Sequence, residues 1–207
     1  MSKGLLISFE GLDGSGKSTQ VELLSNWLQD QDITHTRTLE PGGTWLGMQV
    51  RQILFSESYI IDPLAEALLF QADRAQHFSY VVLPALKRGD IVITDRCFDS
   101  NMVYQGLKSV DMELIQTISA ATMHNVVPDL TILLDLPAKE VHKIRKGAKE
   151  ITRFDREATA FHDGIRSRFL SLAANNTERI KVVDASISAK AVHIQVVKLV
   201  EELLAKR

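Results

Sequence analysis

Cysteine occurs once in the 207 residues, at Cys97, which excludes an internal disulfide and any zinc site built from several thiolates. The six histidines are scattered, none in a close pair of ligand type, so they read as ordinary surface or core residues. An excess of basic charge is also missing. Lys and Arg (24) are fewer than Asp and Glu (26), and the formal net charge of -2 argues against broad nucleic-acid or anionic-membrane binding. No apolar run approaches the ~20 residues of a membrane span. The opening "MSKGLLISFEG" has neither the apolar core nor the cleavage site of a signal peptide, so a cytoplasmic protein is expected. There is no Pro/Gly/Ser-rich linker, repeat or low-complexity tract, and a 45% hydrophobic, 24% charged chain of this length suits one globular domain over residues 1–207.

What is present is an alternation. Strand-like runs at 5–9, 34–39, 91–94, 130–134 and 180–183 are separated by stretches of helical period, notably 18–30, 63–86, 111–124, 137–146 and 188–206. This is the pattern of an α/β fold. A central parallel sheet of about five strands, covered on both faces by right-handed helical crossovers, is expected to bind its ligands at the carboxyl edge.

The segment Gly11 to Ser18 fits G-x-x-x-x-G-K-[ST], the loop whose backbone N–H groups wrap nucleotide phosphates. It follows an apolar strand and precedes a helix with Val21, Leu24 and Leu28 on one face, as the three-layer P-loop NTPase fold requires. Phosphates are expected against Gly11, Leu12, Asp13, Gly14, Ser15, Gly16, Lys17, Ser18 and Thr19, where the helix N-terminus and the Lys17 ammonium both favour anions. The Ser18 hydroxyl is placed to meet Mg2+.

Three further segments gather at the same edge or beside it. The strand "DIVIT" ends in Asp95-Arg96, where a carboxylate suits Mg2+ and a guanidinium suits transferring phosphoryl oxygens. "LEPGGTW" (39–45) ends another strand, with Arg51 in the helix that follows. In "LFQADRAQH" (69–77), Phe70 and Arg74 lie four apart on one helical face, a ring beside a guanidinium that suits a flat heterocycle.

Together these segments resemble the thymidylate kinase family over nearly the whole chain. "FEGLDGSGKST" is similar to that family's phosphate loop, "EPGGT" to its second-strand motif, "ADRAQH" to its base-binding helix and "DR…S…YQG" to its acceptor segment. The resemblance implies transfer of the ATP γ-phosphoryl to dTMP, with Mg2+, in a homodimer formed through a long helix. It implies that Phe70 stacks on thymine, that Arg74 bonds the base, and that Asn101 and Gln105 face its polar edge. Tyr104 crowds the ribose 2′ position, and Arg51 and Arg96 clamp the acceptor phosphate. Glu40 and Ser100 belong to the acceptor site through their motifs, and Asp13 meets either the sugar 3′-hydroxyl or the metal.

Departures from the family pattern carry information. Gly14 stands where some members place an arginine, so positive charge is expected from a mobile lid at about 145–157 instead. There Thr152-Arg153-Phe154-Asp155 aligns with the usual D-R-x-E, while Asp155-Arg156-Glu157 offers a second register, leaving Arg153 and Arg156 as alternatives for the lid arginine. Leu39 stands where many bacterial members have arginine before EPGGT, and Cys97 replaces the common aromatic after Asp95-Arg96.

An acceptor that is itself a phosphate brings an ionised oxygen, so the site needs cations rather than a general base. Lys17, Arg51, Arg96 and Arg153 suit that need. A deoxynucleoside kinase, attacking with a neutral hydroxyl, would instead require a carboxylate such as Glu10 or Glu40 as base. A nucleotide-dependent switch is a third reading, but N-K-x-D and L-S-G-G-Q are both absent.

Overall fold

Five apolar runs become the five strands of one parallel sheet in a computed structural model that describes residues 4–56, 60–108, 110–145 and 159–206. The strands are β1 (Leu5–Gly11), β2 (His35–Leu39), β3 (Ile91–Asp95), β4 (Leu130–Asp135) and β5 (Ile180–Asp184), in spatial order β2-β3-β1-β4-β5. Every pairing is parallel, with Leu5 opposite Ile91 and Ile7 opposite Leu130. All strand ends therefore point to one edge. The expected sheet and its strand count agree with this arrangement, each strand lying within a residue or two of its expected bounds.

The central strands are buried on both faces, which is why they read as unbroken apolar runs. Side chains alternate across a strand, so Ile7, Phe9, Ile91, Ile93 and Ile132 meet α1 (Lys17–Asp30) and α9 (Ala189–Leu204) through Val21, Leu24, Val196 and Val200. Leu6 and Val92 face the other way, onto Phe78, Val82 and Met123. Leu133 joins them on that side, packed with Val141, Ile165 and Phe169 of α7 (Ala138–Arg145) and α8 (Thr159–Ala174).

Caps explain several boundaries. Thr44 Oγ1 accepts from the Gly47 N–H at the start of α2 (Trp45–Phe55), and Asp62 accepts from the Leu64 and Ala65 N–H groups ahead of Pro63 in α3 (Pro63–His77). The single helix expected over 63–86 is interrupted. A π-helical turn, Phe78–Val82, separates α3 from α4 (Leu83–Arg88). Pro84 has no N–H for the carbonyl one turn back, and an expanded turn just before it absorbs the mismatch while keeping Phe78 and Val82 in the core. Gly89, at φ 88°, ends α4 in the left-handed conformation. Two more helices, α5 (Phe98–Leu107) and α6 (Met112–Thr122), fill the approach to β4.

Candidate active site

β1 delivers the glycine-rich loop at the carboxyl edge of the sheet. Gly11 has φ 135°, and a Cβ there would come within 2.5 Å of the Leu134 carbonyl oxygen, so only glycine fits beside β4. Gly16, also left-handed at φ 94°, turns the chain into α1. The Lys17 ammonium folds back over the loop, donating to the carbonyls of Gly11 (3.2 Å) and Leu12 (2.8 Å), with Asp13 at 3.8 Å. Burial, then the charge of Arg96, pushes its pKa down from the ordinary lysine value, against the pull of Asp13, Asp95 and Glu10. At the loop's outer lip the Ser18 hydroxyl donates to Asp95 Oδ2 at 2.5 Å, joining the loop to the end of β3.

The turn after β3 carries the next group. Arg96 sits at φ 73°, a left-handed conformation unusual for a long side chain, and local contacts hold it there. Its N–H donates to the Phe9 carbonyl (2.9 Å), and Thr94 Oγ1 donates to its carbonyl (2.8 Å). Its guanidinium donates to Asp13 Oδ1 (2.6 Å) and Ser100 Oγ (2.8 Å), with the Tyr104 hydroxyl at 3.4 Å. Beneath it lies Glu10, 0% exposed, accepting from the Cys97 N–H (2.8 Å) and from Ser100 Oγ (2.5 Å). Burial, then the nearby Asp99 charge, pushes Glu10 up to about 7, while Arg96, Ser100 and Cys97 restrain the rise. By sequence alone Glu10 is a candidate base for a hydroxyl acceptor. In the structure both of its oxygens are committed to the β3–α5 turn, and it does not line the cleft.

The third wall comes from the end of β2 and from α3. Glu40 and Arg74 are both nearly fully buried. Arg74 Nε and Nη2 donate to Glu40 Oε2 at 2.9 and 2.7 Å, and His77 Nδ1 lies 2.8 Å from Oε1. His77 Nε2 meets Thr38 Oγ1 at 2.6 Å, so this histidine is a core residue of a polar network. A third Arg74 donor reaches Gln71 Oε1 at 3.3 Å, which leaves two of the five guanidinium N–H groups for the cleft. Burial pushes the Glu40 carboxyl up, but Arg74 and His77 outweigh it and hold it below its ordinary value. Asp73 beside it is pushed up to about 6, first by burial and then by the Glu40 charge. Arg51, on α2, donates to the Pro41 carbonyl (3.0 Å) and lies over the Phe55 ring at 4.7 Å.

These walls enclose a cleft of about 470 Å³. Of the residues expected from sequence, it is lined by Asp13, Gly14, Gly16, Lys17, Ser18, Thr19, Glu40, Arg51, Phe70, Arg74, Asp95, Arg96, Ser100, Asn101, Tyr104 and Gln105. Gly11, Leu12 and Ser15 lie behind it, the Leu12 side chain packing in the core with Val103 and Leu133. Arg153, Arg156 and nearly all of the expected lid lie outside the described residues. Leu39, Pro41, Phe55 and Cys97 also line the cleft and were not anticipated as site residues. Phe55 could have been, since it follows Arg51 by one helical turn.

On α5, a row of polar side chains continues from the cleft into the interior. Asn101 Nδ2 donates to Gln105 Oε1 (2.9 Å), and Gln105 Nε2 donates to Glu66 Oε1 (3.0 Å). Lys108 Nζ is 3.0 Å from both Glu66 oxygens.

A cleft with a phosphate loop at one end and an aromatic ring among arginines and amides at the other suits transfer between two nucleotides. Comparison with known proteins points the same way. The family model described as thymidylate kinase matches residues 9–196. A thymidylate kinase of Pelotomaculum thermopropionicum is 42% identical over 205 residues, covering 98% of this chain and 95% of that protein. One from Clavibacter sepedonicus is 47% identical over 186 residues, covering 88% and 87%. The crystal structure of thymidylate kinase from Ehrlichia chaffeensis superposes with a TM-score of 0.76 at 32% identity, covering 96% of this chain and 99% of that one.

Proposed function

The chain belongs to the thymidylate kinase family, and on that premise we propose how its cleft moves the γ-phosphoryl of ATP to dTMP. The bond from the γ-phosphorus to the β–γ bridging oxygen breaks as a bond to a dTMP phosphate oxygen forms, giving ADP and dTDP. The observation that carries this reading is the joining of phosphate loop and base pocket in one cleft. Lys17 and the loop N–H groups hold the donor phosphates, and Lys17 leaves its carbonyl partners for them as ATP enters. Arg51 and Arg96 clamp the acceptor phosphate and neutralise the approach of one anion to another. Phe70 stacks on thymine and the two remaining Arg74 donors meet its carbonyl edge. Asn101 and Gln105 read the rest, and Tyr104 fills the space a 2′-hydroxyl would need. Asp13, paired with Arg96, meets either the sugar 3′-hydroxyl or the metal.

Mg2+ fits the donors present. Ser18 and Asp95 offer adjacent oxygens at the loop's lip, and among the described residues no cluster of three or more carboxylate, histidine or cysteine ligands exists. That suits an ion held by one or two side chains, water and substrate phosphates. The ion would supply charge neutralisation on the phosphates. Ser18 and Asp95 orient the site for it.

Three further elements complete the proposal. The chain acts as one kinase domain whose lid, at about 145–157, brings Arg153 to the transferring group. It pairs as a homodimer through α2 and α3, where Trp45, Met48, Ile53, Leu64 and Leu68 are exposed. No helix among the described residues is long and apolar enough to cross a membrane, and nucleotide substrates together with a buried lone thiol suit the cytoplasm.

The deoxynucleoside-kinase reading loses its base, because Glu10 and Glu40 are both buried with their oxygens occupied. Coupled ADP release with dTMP or thymidine as acceptor tests the choice. Rapid turnover with dTMP and none with thymidine is expected; the reverse preference would overturn the proposal.

A further inference from the structure

A primary amide offers a donor on one side and an acceptor on the other, with nothing in its shape to say which faces a ligand. Its neighbours decide. Glu66, 0% exposed on α3, lies under the Lys108 ammonium, which is 3.0 Å from both carboxylate oxygens, so Glu66 can only accept. Gln105 must therefore turn Nε2 toward Glu66 (3.0 Å), and its Oε1 then faces Asn101. Asn101 answers with Nδ2 at 2.9 Å. Its other atom, Oδ1, is buried and has no hydrogen-bond partner among the described residues, in a side chain that lines the cleft. Turning Asn101 over would set two carbonyl oxygens against each other and lose a buried hydrogen bond. The orientation of the Asn101 amide, in a side chain that lines the cleft, is thus dictated by a carboxylate two side chains away that does not line the cleft itself.

We propose that Glu66 is a positioning residue for base choice: by orienting Gln105 and Asn101 it presents an acceptor that selects pyrimidines whose ring nitrogen carries a proton over those whose ring nitrogen accepts. Thymine and uracil belong to the first class and cytosine to the second. The inference rests on the reading of this cleft as the acceptor-base site.

The test measures dissociation constants of dTMP and dCMP by titration calorimetry, with kcat for dTMP in parallel. In Glu66→Gln the amide at position 66 can face either way and the row loses its direction. The dCMP-to-dTMP ratio of dissociation constants is then expected to fall about tenfold, through weaker dTMP binding, with kcat within about twofold. A merely structural defect would weaken both ligands alike and leave the ratio unmoved. Glu66→Gln combined with Asn101→Asp rebuilds the row in reverse, since the carboxylate introduced at position 101 can only accept. That pair should restore the ratio to within about threefold of the parent. An unchanged ratio in Glu66→Gln, while Asn101→Ala lowers it, overturns the role of Glu66 and leaves the base site standing. An unchanged ratio in Asn101→Ala means the base-site reading itself is wrong, and the proposal falls with it. A parent protein that binds both nucleotides alike overturns it outright. Where Glu66→Gln does not fold, Gln105→Leu keeps the Glu66–Lys108 pair and is judged by the same ratio.

Discussion

Replacing Glu40 by glutamine keeps the volume of the side chain and removes only its charge. Arg74 is 2% exposed and places two donors on Glu40 at 2.9 and 2.7 Å, so the variant strands a guanidinium in the interior. Breaking a buried pair from one side costs about 3–5 kcal/mol, and the lower end applies because the glutamine carbonyl oxygen, in place of Oε2, can still accept from both Arg74 donors. At about 2–4 °C per kcal/mol for a chain of this size, 3 kcal/mol becomes a fall in Tm of roughly 6–12 °C. The pH dependence has a definite sign. A carboxyl held below its ordinary 4.5 stabilises the fold above that pH, and the contribution is lost as pH falls through the lowered value. The deficit of Glu40→Gln should therefore be full at pH 7 and shrink as the pH falls below 4.5. Thermal melts of the parent, Glu40→Gln, Arg74→Gln and the double variant complete a cycle in which the double change is milder than the sum by about 2 kcal/mol. A Tm shift under about 2 °C, or strict additivity, would refute the argument that this pair is what makes the buried arginine tolerable.

Glu10 reverses that sign. Its carboxyl rises from 4.5 to about 7, so its contribution is fully present below pH 4.5 and is lost as pH climbs through 7, on the order of 3 kcal/mol. Denaturant melts at pH 5 and pH 8 should show the parent losing more stability than Glu10→Gln, and parallel losses would sink the assignment. In the lid, Arg153→Ala should lower turnover by about two to three powers of ten with little change in dTMP affinity, while Arg156→Ala is mild. If Arg156 proves the costly one, the second register is correct; if neither matters, the lid is not the source of the charge.

The sheet was legible because buried parallel strands demand unbroken apolar runs, and the phosphate loop because its glycines and lysine serve one local geometry. Phe70, Arg74 and the acceptor residues were found through motif and resemblance, and the cleft gathers them. What escaped were pairings across distant elements. That Glu40 and Arg74 would engage each other, that Glu10 would brace the turn 87 residues later, and that Glu66 would orient Gln105 depend on how α3, α5 and the strands pack. Nothing in local spacing encodes those meetings. The π-helical turn escaped for a smaller reason: Pro84 stood inside a helix read by its apolar period, which is blind to a missing N–H.

Cys97 gives this protein an internal clock. The thiol is 0% exposed, at the floor of the cleft between the Glu10 and Arg74 networks, and burial pushes its pKa well above the ordinary value. An alkylating reagent can reach it as thiolate only when that floor lifts. Being the sole cysteine, it turns the rate of covalent labelling into a reading of how often the cleft's foundation opens, and of how far each nucleotide slows that breathing.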